Sequence, residues 1–191
     1  FAMGVLFANI SSSPFIVQQH YGFSAFEFSL FFGINALAIG LAAGLSVKFK
    51  NPEHAMFLGS VGMTIMSAVE FVILSNEYHF AVYEAVLFVL LFSMGLTFTA
   101  STTLAMDCER ANSGTASALF GAAGFAFGGI VSPLVGLGDI LSTTGLIFFV
   151  CSVCSLCFSV FAMNQTHTNL WGSFKCKMGP VARFVFLRRE K

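Results

Sequence analysis

The chain has 191 residues, of which 57% are hydrophobic and 9% charged. Soluble domains carry roughly 25% charged residues, so nine basic and nine acidic side chains cannot clothe a water-soluble surface of this size. A soluble enzyme, a disordered tail and a nucleic-acid-binding domain are excluded, whereas 25 Phe and 18 Gly fit a bilayer, where Phe faces lipid and Gly lets helices approach closely.

A spanning helix needs about 20 apolar residues, and the chain has room for about six. The first predicted span covers about 1–18. It is short, it begins inside an apolar run at Phe1, and it breaks at Ser11, Ser12, Ser13 and Pro14 before a polar turn over 18–24. These features predict a fragment of a longer protein. The second span is about 26–47, followed by a loop with Lys48, Lys50 and Pro52. The third is about 55–74 and the fourth about 80–106, the latter closed by the charged stretch 107–112. The fifth is about 114–137, a turn at Gly138 and Asp139 follows, and the sixth is about 140–163. Residues 164–191 form a basic tail with Trp171, Phe174, Phe184 and Phe186, which fits a cytoplasmic segment near anionic headgroups.

All nine basic residues fall on one side of this arrangement. Lys48 and Lys50 lie in the second connection, Arg110 in the fourth, and the other six in the tail. The first, third and fifth connections have none, which is the positive-inside pattern for a cytoplasmic face. An even number of spans places both ends on that side.

Catalytic signatures are missing. The histidines His20, His54, His79 and His167 lie in loops or the tail, and Asp107 and Asp139 lie at helix ends. Neither an intramembrane serine protease nor an aspartyl protease can be assembled from them, and there is no zinc or phosphate-loop motif. Cys151, Cys154 and Cys157 share one apolar segment without His, Asp or Glu, so they read as reduced thiols rather than a metal site. No cofactor is implied.

Polar groups inside a bilayer are expensive and each asks for a partner or a task. Glu70 is the one carboxylate well inside a predicted span, about six residues, or about 9 Å, from the outer end at 1.5 Å per residue. It is either a proton-binding site or a carboxyl packed against a neighbouring helix. Glu27 and Glu84 sit near outer helix ends and read as interfacial. Asn9 and Asn35 lie within the first and second spans and can bond across helices or touch a substrate. Thr97, Thr99, Ser101, Thr102 and Thr103 give the fourth span a polar run that predicts a face toward a water-filled cavity. Gly40 with Gly44, and Gly124 with Gly128, have the spacing of close helix contacts. In "GGIVSPLVG", Gly128, Gly129, Pro133 and Gly136 predict a bent helix able to rock.

These segments resemble a known family. "SPFIVQQHYGFSAFEFSLFFGINALAIG" (Ser13–Gly40) and "SGTASALFGAAGFAFGGIVSPLVG" (Ser113–Gly136) are similar to the C-terminal half of a major facilitator superfamily transporter, most closely the Bcr/CflA exporters of the bicyclomycin and chloramphenicol resistance type. The resemblance covers about 1–163 and implies an all-α integral membrane fold, with these six helices as the C-terminal half of twelve. It further implies that the first, second, fourth and fifth spans line a substrate cavity, with Asn9, Asn35, Thr99 and Thr102 as its polar contacts. The third span, with Glu70, would be peripheral. The connection "GLSVKFKNPEHAM" lacks the Asp-Arg core of the superfamily's cytoplasmic loop, which is best formed in the missing half.

The resulting expectation is a proton-coupled exporter of drugs or small amphipathic metabolites, working by alternating access in a bacterial inner membrane. Its partners would be the substrate, protons, lipid and an N-terminal six-span half, and not nucleic acid. The proton gradient would supply the energy, with the proton-carrying acids largely in the missing half. Alternatives are an uptake carrier for a small polar solute and a six-span structural membrane protein.

Overall fold

The computed structural model describes residues 1–76, 78–108 and 112–167. The expected positions of Arg110 and of the basic tail beyond residue 167 lie outside the described residues. Among the described residues six α-helices follow one another: α1 (Ala2–Pro14), α2 (Ala25–Ser46), α3 (Pro52–Ser75), α4 (Phe80–Cys108), α5 (Ser113–Leu134) and α6 (Ile140–His167). A π-helical turn, Phe15–His20, extends α1, and a 3-10 turn, Val135–Leu137, ends α5. There is no strand among the described residues. Helices α2 to α6 are long and apolar enough to cross a membrane, whereas α1, with 13 residues, is not one of these five.

Local chemistry sets the helix boundaries. Ser24 and Glu27 form a reciprocal capping box at the start of α2, each side chain bonding the other's backbone N–H. Pro52 opens α3, where its missing N–H leaves no helical bond unmade. Asp139 Oδ2 accepts from the Ser142 backbone N–H at 2.9 Å at the start of α6. These Ser142 bonds hold the Asp139 carboxyl below its ordinary value of 3.8.

The expected break at Ser11–Pro14 does not occur. The helix runs on to His20, but its hydrogen bonds reach back five residues instead of four, as from the Tyr21 N–H to Ile16 O at 3.1 Å. Pro14 cannot donate to the preceding turn, and the wider π turn absorbs the mismatch. The serines turn their hydroxyls inward. Ser11 bonds Ser132 on α5, and Ser13 donates to Asn9 Oδ1 at 2.9 Å.

Helix α4 occupies the centre of the bundle. It packs against α3 and α2 and also touches α1 and α5. Helix α6 lies against α3 and α1, while α5 rests mainly on α1. The core between them contains Val5, Ile16, Met63, Leu87, Leu90, Met94 and Phe148, all essentially buried. Helices α2 and α5 bury only a narrow stripe each. On α2 this stripe is Asn35, Ala38, Ala42 and Ser46.

Small residues set the closest approaches. Gly59 and Gly62 of α3 face Ser93 and Thr97 of α4, Gly95 of α4 faces Ile39 and Ala42 of α2, and Gly145 of α6 faces Phe71 of α3. Gly124 and Gly128 of α5 lie against Met3 and Phe7 of α1, the close face that their spacing predicted. Gly40 and Gly44 lie off the buried stripe of α2, and a Cβ on either would meet nothing within 4 Å. The close contact predicted for that pair is therefore not made within these helices. Gly129 and Gly136 are open in the same way.

Two stability outcomes follow. A Cβ at Gly59 would lie 2.8 Å from the backbone N of Thr97 and 2.9 Å from the Ser93 carbonyl oxygen, neither of which can rotate away. Gly59→Ala is expected to cost about 1–3 kcal/mol by overpacking, and Gly40→Ala to be neutral or stabilising by up to about 1 kcal/mol. Unfolding midpoints in detergent check this, and equal midpoints for the two variants would contradict the packing. Asp139→Ala is expected to cost about 1 kcal/mol through the lost cap. Because the folded carboxyl titrates below its ordinary value, its stabilisation is full above that value and fades as pH falls through the folded one. The difference between wild type and Asp139→Ala should therefore shrink only in acid.

Candidate functional site

A polar cluster lies inside the bundle near the end that carries the α1–α2 and α3–α4 connections. It is built by the antiparallel pairing of α3 and α4. The register that sets Gly59 against Thr97 and Gly62 against Ser93 continues for about two more turns. It then brings Glu70 level with Glu84, and the two carboxyls lie within electrostatic reach of each other. Glu70 is fully buried, and both of its oxygens lack a hydrogen-bond partner among the described residues.

Glu84 is not the interfacial side chain expected from its place near a helix end. It is half-buried, and its Oε1 accepts from Asn35 Nδ2 of α2 at 2.9 Å. Its Oε2 and the Asn35 Oδ1 are buried without a partner among the described residues. Tyr83, the residue before it, is fully buried. Its hydroxyl lies within electrostatic reach of Glu70 and Glu84, and Ser13 of α1 approaches it without reaching hydrogen-bond geometry. Asn9 is buried one turn earlier on α1 and accepts from Ser13.

The structure thus draws three residues singled out in the sequence, Asn9, Asn35 and Glu70, toward one cluster. Glu84, Tyr83 and Ser13 complete it. An aromatic layer covers the cluster at its own end of the bundle. Tyr21 and Phe23 from the α1–α2 connection, Phe31 of α2 and Phe80 of α4 pack together, with the Phe23 and Phe80 centroids 4.4 Å apart. Tyr21 donates its hydroxyl to the Tyr78 carbonyl oxygen at 2.8 Å, which ties the two connections together.

Thr99 and Thr102 stand apart from this cluster, toward the opposite end of α4. Thr102 donates to the Phe98 carbonyl oxygen of its own helix at 2.8 Å, and Thr103 donates to that of Thr99 at 3.0 Å. Much of the polar run on α4 is therefore bonded to its own helix. Beside it lies a cleft of about 320 Å³ among α1, α3, α4, α5 and α6, lined chiefly by Met3, Met56, Thr97, Phe98, Ser101, Phe120 and Phe127. Neither Thr99 nor Thr102 lines it. Its mostly apolar wall suits a small hydrophobic molecule held by contact area.

Pro133 is the second-to-last residue of α5, and the chain tightens into a 3-10 turn directly after Leu134. Gly129 precedes it by four residues, so the carbonyl that loses its donor belongs to a residue without a side chain. The Ser11–Ser132 hydrogen bond sits between Pro14 and Pro133. It therefore joins the two helix irregularities of α1 and α5. Gly136 lies in the 3-10 turn and is exposed.

Comparison with known proteins places this geometry in context. The chain is 35% identical over 157 residues to a Bacillus subtilis (strain 168) protein named "Uncharacterized MFS-type transporter YdgK", covering 80% of this chain and 39% of that protein. The chain thus spans about two fifths of the length of this curated relative. No family model matches the chain. No solved structure matches it either. The chain is thus similar over most of its own length to part of a protein named as an MFS-type transporter, and its helices α2 to α6 are long and apolar enough to cross a membrane.

The Asn35–Glu84 bond gives a direct check on the cluster. Asn35→Ala leaves a second buried carboxylate oxygen without a donor, at an expected cost of about 1–3 kcal/mol. Thr102→Val removes a hydroxyl bonded only within its own helix and is expected to shift stability by less than about 1 kcal/mol. Unfolding midpoints of the two variants in detergent decide the point, and a larger loss for Thr102→Val would contradict the assignment.

Proposed function

We propose that this chain is the C-terminal half of a secondary active transporter of the major facilitator superfamily, of the Bcr/CflA type. It exports drugs or small amphipathic metabolites by alternating access, in exchange for protons that move down their gradient. The observation that carries the transporter reading is the likeness to an MFS-type transporter over 80% of the chain. Efflux of amphipathic molecules is supported by the Phe-lined cleft beside α4 and by the scarcity of charge in the helices. A polar solute would need more fixed hydrogen-bonding groups than this wall offers.

The remaining parts of the proposal rest on complementary features. The narrow buried stripes of α2 and α5 leave apolar faces for lipid and for an N-terminal six-helix half. The Lys48 and Lys50 connection supports a cytoplasmic location for that end of the bundle. A bacterial inner membrane follows from the family. Asn9 and Asn35, buried in the polar cluster, are the proposed polar contacts for substrate once the bundle changes state, with Thr99 and Thr102, which lie outside the cleft, as further candidates. Pro133 with Gly128, Gly129 and Gly136 is the element that changes shape, α5 moving over α1 through the Gly124 and Gly128 face.

The test uses the full-length protein in a bacterial host stripped of its main drug pumps. Ethidium is expected to accumulate less when the protein is made, and a protonophore to abolish the difference. Unchanged accumulation, or accumulation that rises, would overturn export. A lost buried hydrogen bond is worth about 1–3 kcal/mol, so Asn35→Ala is expected to slow efflux on the order of tenfold. Pro133→Ala is expected to slow it as well. Normal efflux from both variants would remove these residues from the mechanism.

A further inference from the structure

We propose that Glu70 and Glu84 form a carboxyl pair inside the membrane that binds and releases the coupling proton, with Asn35 as its hydrogen-bonding partner and the Tyr83 hydroxyl beside it. The inference rests on the transporter reading above. It moves the proton site into this half of the molecule and onto the contact between α3, the helix expected to be peripheral, and α4, one of those expected to line the cavity.

Unmet hydrogen bonds carry the argument. Four buried acceptor atoms lack a donor among the described residues: both oxygens of Glu70, Oε2 of Glu84 and Oδ1 of Asn35. The Tyr83 hydroxyl, fully buried and likewise unpartnered, sits among them. A proton on one carboxyl turns an acceptor into a donor and so completes a bond to a neighbouring oxygen. Without a proton, two negative charges would share an apolar interior. No cation offsets them among the described residues of the packed helices. Lys48 and Lys50 lie at the opposite end of α2 and α3. An unpaired buried charge is costly enough that the group takes up a proton instead.

Helix α3 contributes Glu70, and α4 contributes Tyr83 and Glu84. Helix α2 contributes Asn35, its Glu27 being exposed at the helix start. Helix α1 contributes Ser13 and Asn9, and the adjoining turn contributes Tyr21. Helix α6 contributes Thr144, which is fully buried and unpartnered among the described residues and neighbours the Gly145 that packs on Phe71. The cysteines of α6 lie further along that helix. His20, His79 and Asp139 are exposed at the end of the bundle, beyond the aromatic layer.

The step is a simple proton exchange. A hydronium ion of one aqueous phase gives its proton to a carboxylate oxygen of the pair. After the bundle rearranges, the same O–H passes its proton to water of the other phase. The aromatic layer of Tyr21, Phe23, Phe31 and Phe80 closes the pair off from its nearer end in this conformation. Because Glu84 also holds Asn35 of α2, gain or loss of the proton changes the bond between α4 and a helix expected to line the cavity. That bond is the link between proton and substrate.

The experiment has two arms on the purified full-length protein. Infrared difference spectra recorded without substrate follow the protonated-carboxyl C=O band as pH is raised. The wild type is expected to lose this band, and Glu70→Gln and Glu84→Gln are each expected to reduce or shift the loss. A wild type with no titrating band, or two variants that leave it unaltered, would overturn the proposal. So would a loss that depends on sodium rather than pH when choline replaces sodium, because the site would then take a metal cation. In proteoliposomes, both Gln variants are expected to exchange ethidium at equal concentrations while gradient-driven transport falls at least about tenfold. Gradient-driven transport at the wild-type rate in both would also overturn it. If wild-type proteoliposomes move no ethidium while the band still titrates through Glu70 and Glu84, the exporter reading fails and the carboxyl pair stands.

Discussion

The close approach of α3 to α4 governs much of what this bundle can do. Gly59 and Gly62 have no side chain to hold α4 away, and Ser93 and Thr97 sit directly against them. Ser93 and Thr97 turn their hydroxyls back to carbonyls of their own helix, so the contact is made by small, self-satisfied surfaces. In a lipid environment there is little hydrophobic force to press helices together, and this intimacy is what stabilises the pair. It has a second effect toward the other end of the pair. Two antiparallel helices held this closely must keep their register, and the register sets one acidic side chain against another.

The bundle therefore has two ends of different character. One holds the carboxyls, amides and hydroxyls of Glu70, Glu84, Asn35 and Tyr83 beneath a layer of aromatic rings. The other holds an open, Phe-lined cleft bordered by the polar run of α4. Helix α4 passes through both. Its buried face between them is a continuous apolar strip of Leu87, Leu90, Leu91 and Met94. Such a strip keeps water from joining the two regions, while a rigid helix can carry a displacement from one to the other.

Much of the helical layout was legible in the amino-acid pattern because hydropathy reports directly on lipid. The predicted spans over 26–47, 55–74, 80–106, 114–137 and 140–163 lie within a few residues of α2 to α6. The first segment was harder. Ser11–Ser13 and Pro14 look like a break when taken one residue at a time, but their hydroxyls are satisfied by Ser132 and Asn9 and the helix widens to pass the proline. The Gly40–Gly44 spacing was visible, yet spacing does not say which side of a helix a neighbour will occupy. Gly59, Gly62, Gly95 and Gly145 make the tighter contacts. The partner of Glu70 is hidden for a similar reason, since Glu84 stands within the first turns of α4, where position alone reads as interfacial. A signal was present nonetheless. Glu70 and Glu84 stand at nearly equal distances from the short connection between α3 and α4, and an antiparallel hairpin sets such positions side by side.

The order in which the helices meet also has a cost in time. Helices α3 and α4 are neighbours in the chain and can pair as soon as both are inserted. Helix α1 packs on α5 and α6, and its tie to α5 joins residues 121 positions apart. At about 5–20 residues per second, a ribosome takes roughly 6–24 s to make that stretch. During that interval Asn9 and the three serines of α1 have been made, but α5, which supplies Ser132, has not. This helix finds its place only once α5 has been made, and a chaperone or the insertion machinery has those seconds in which to shelter it.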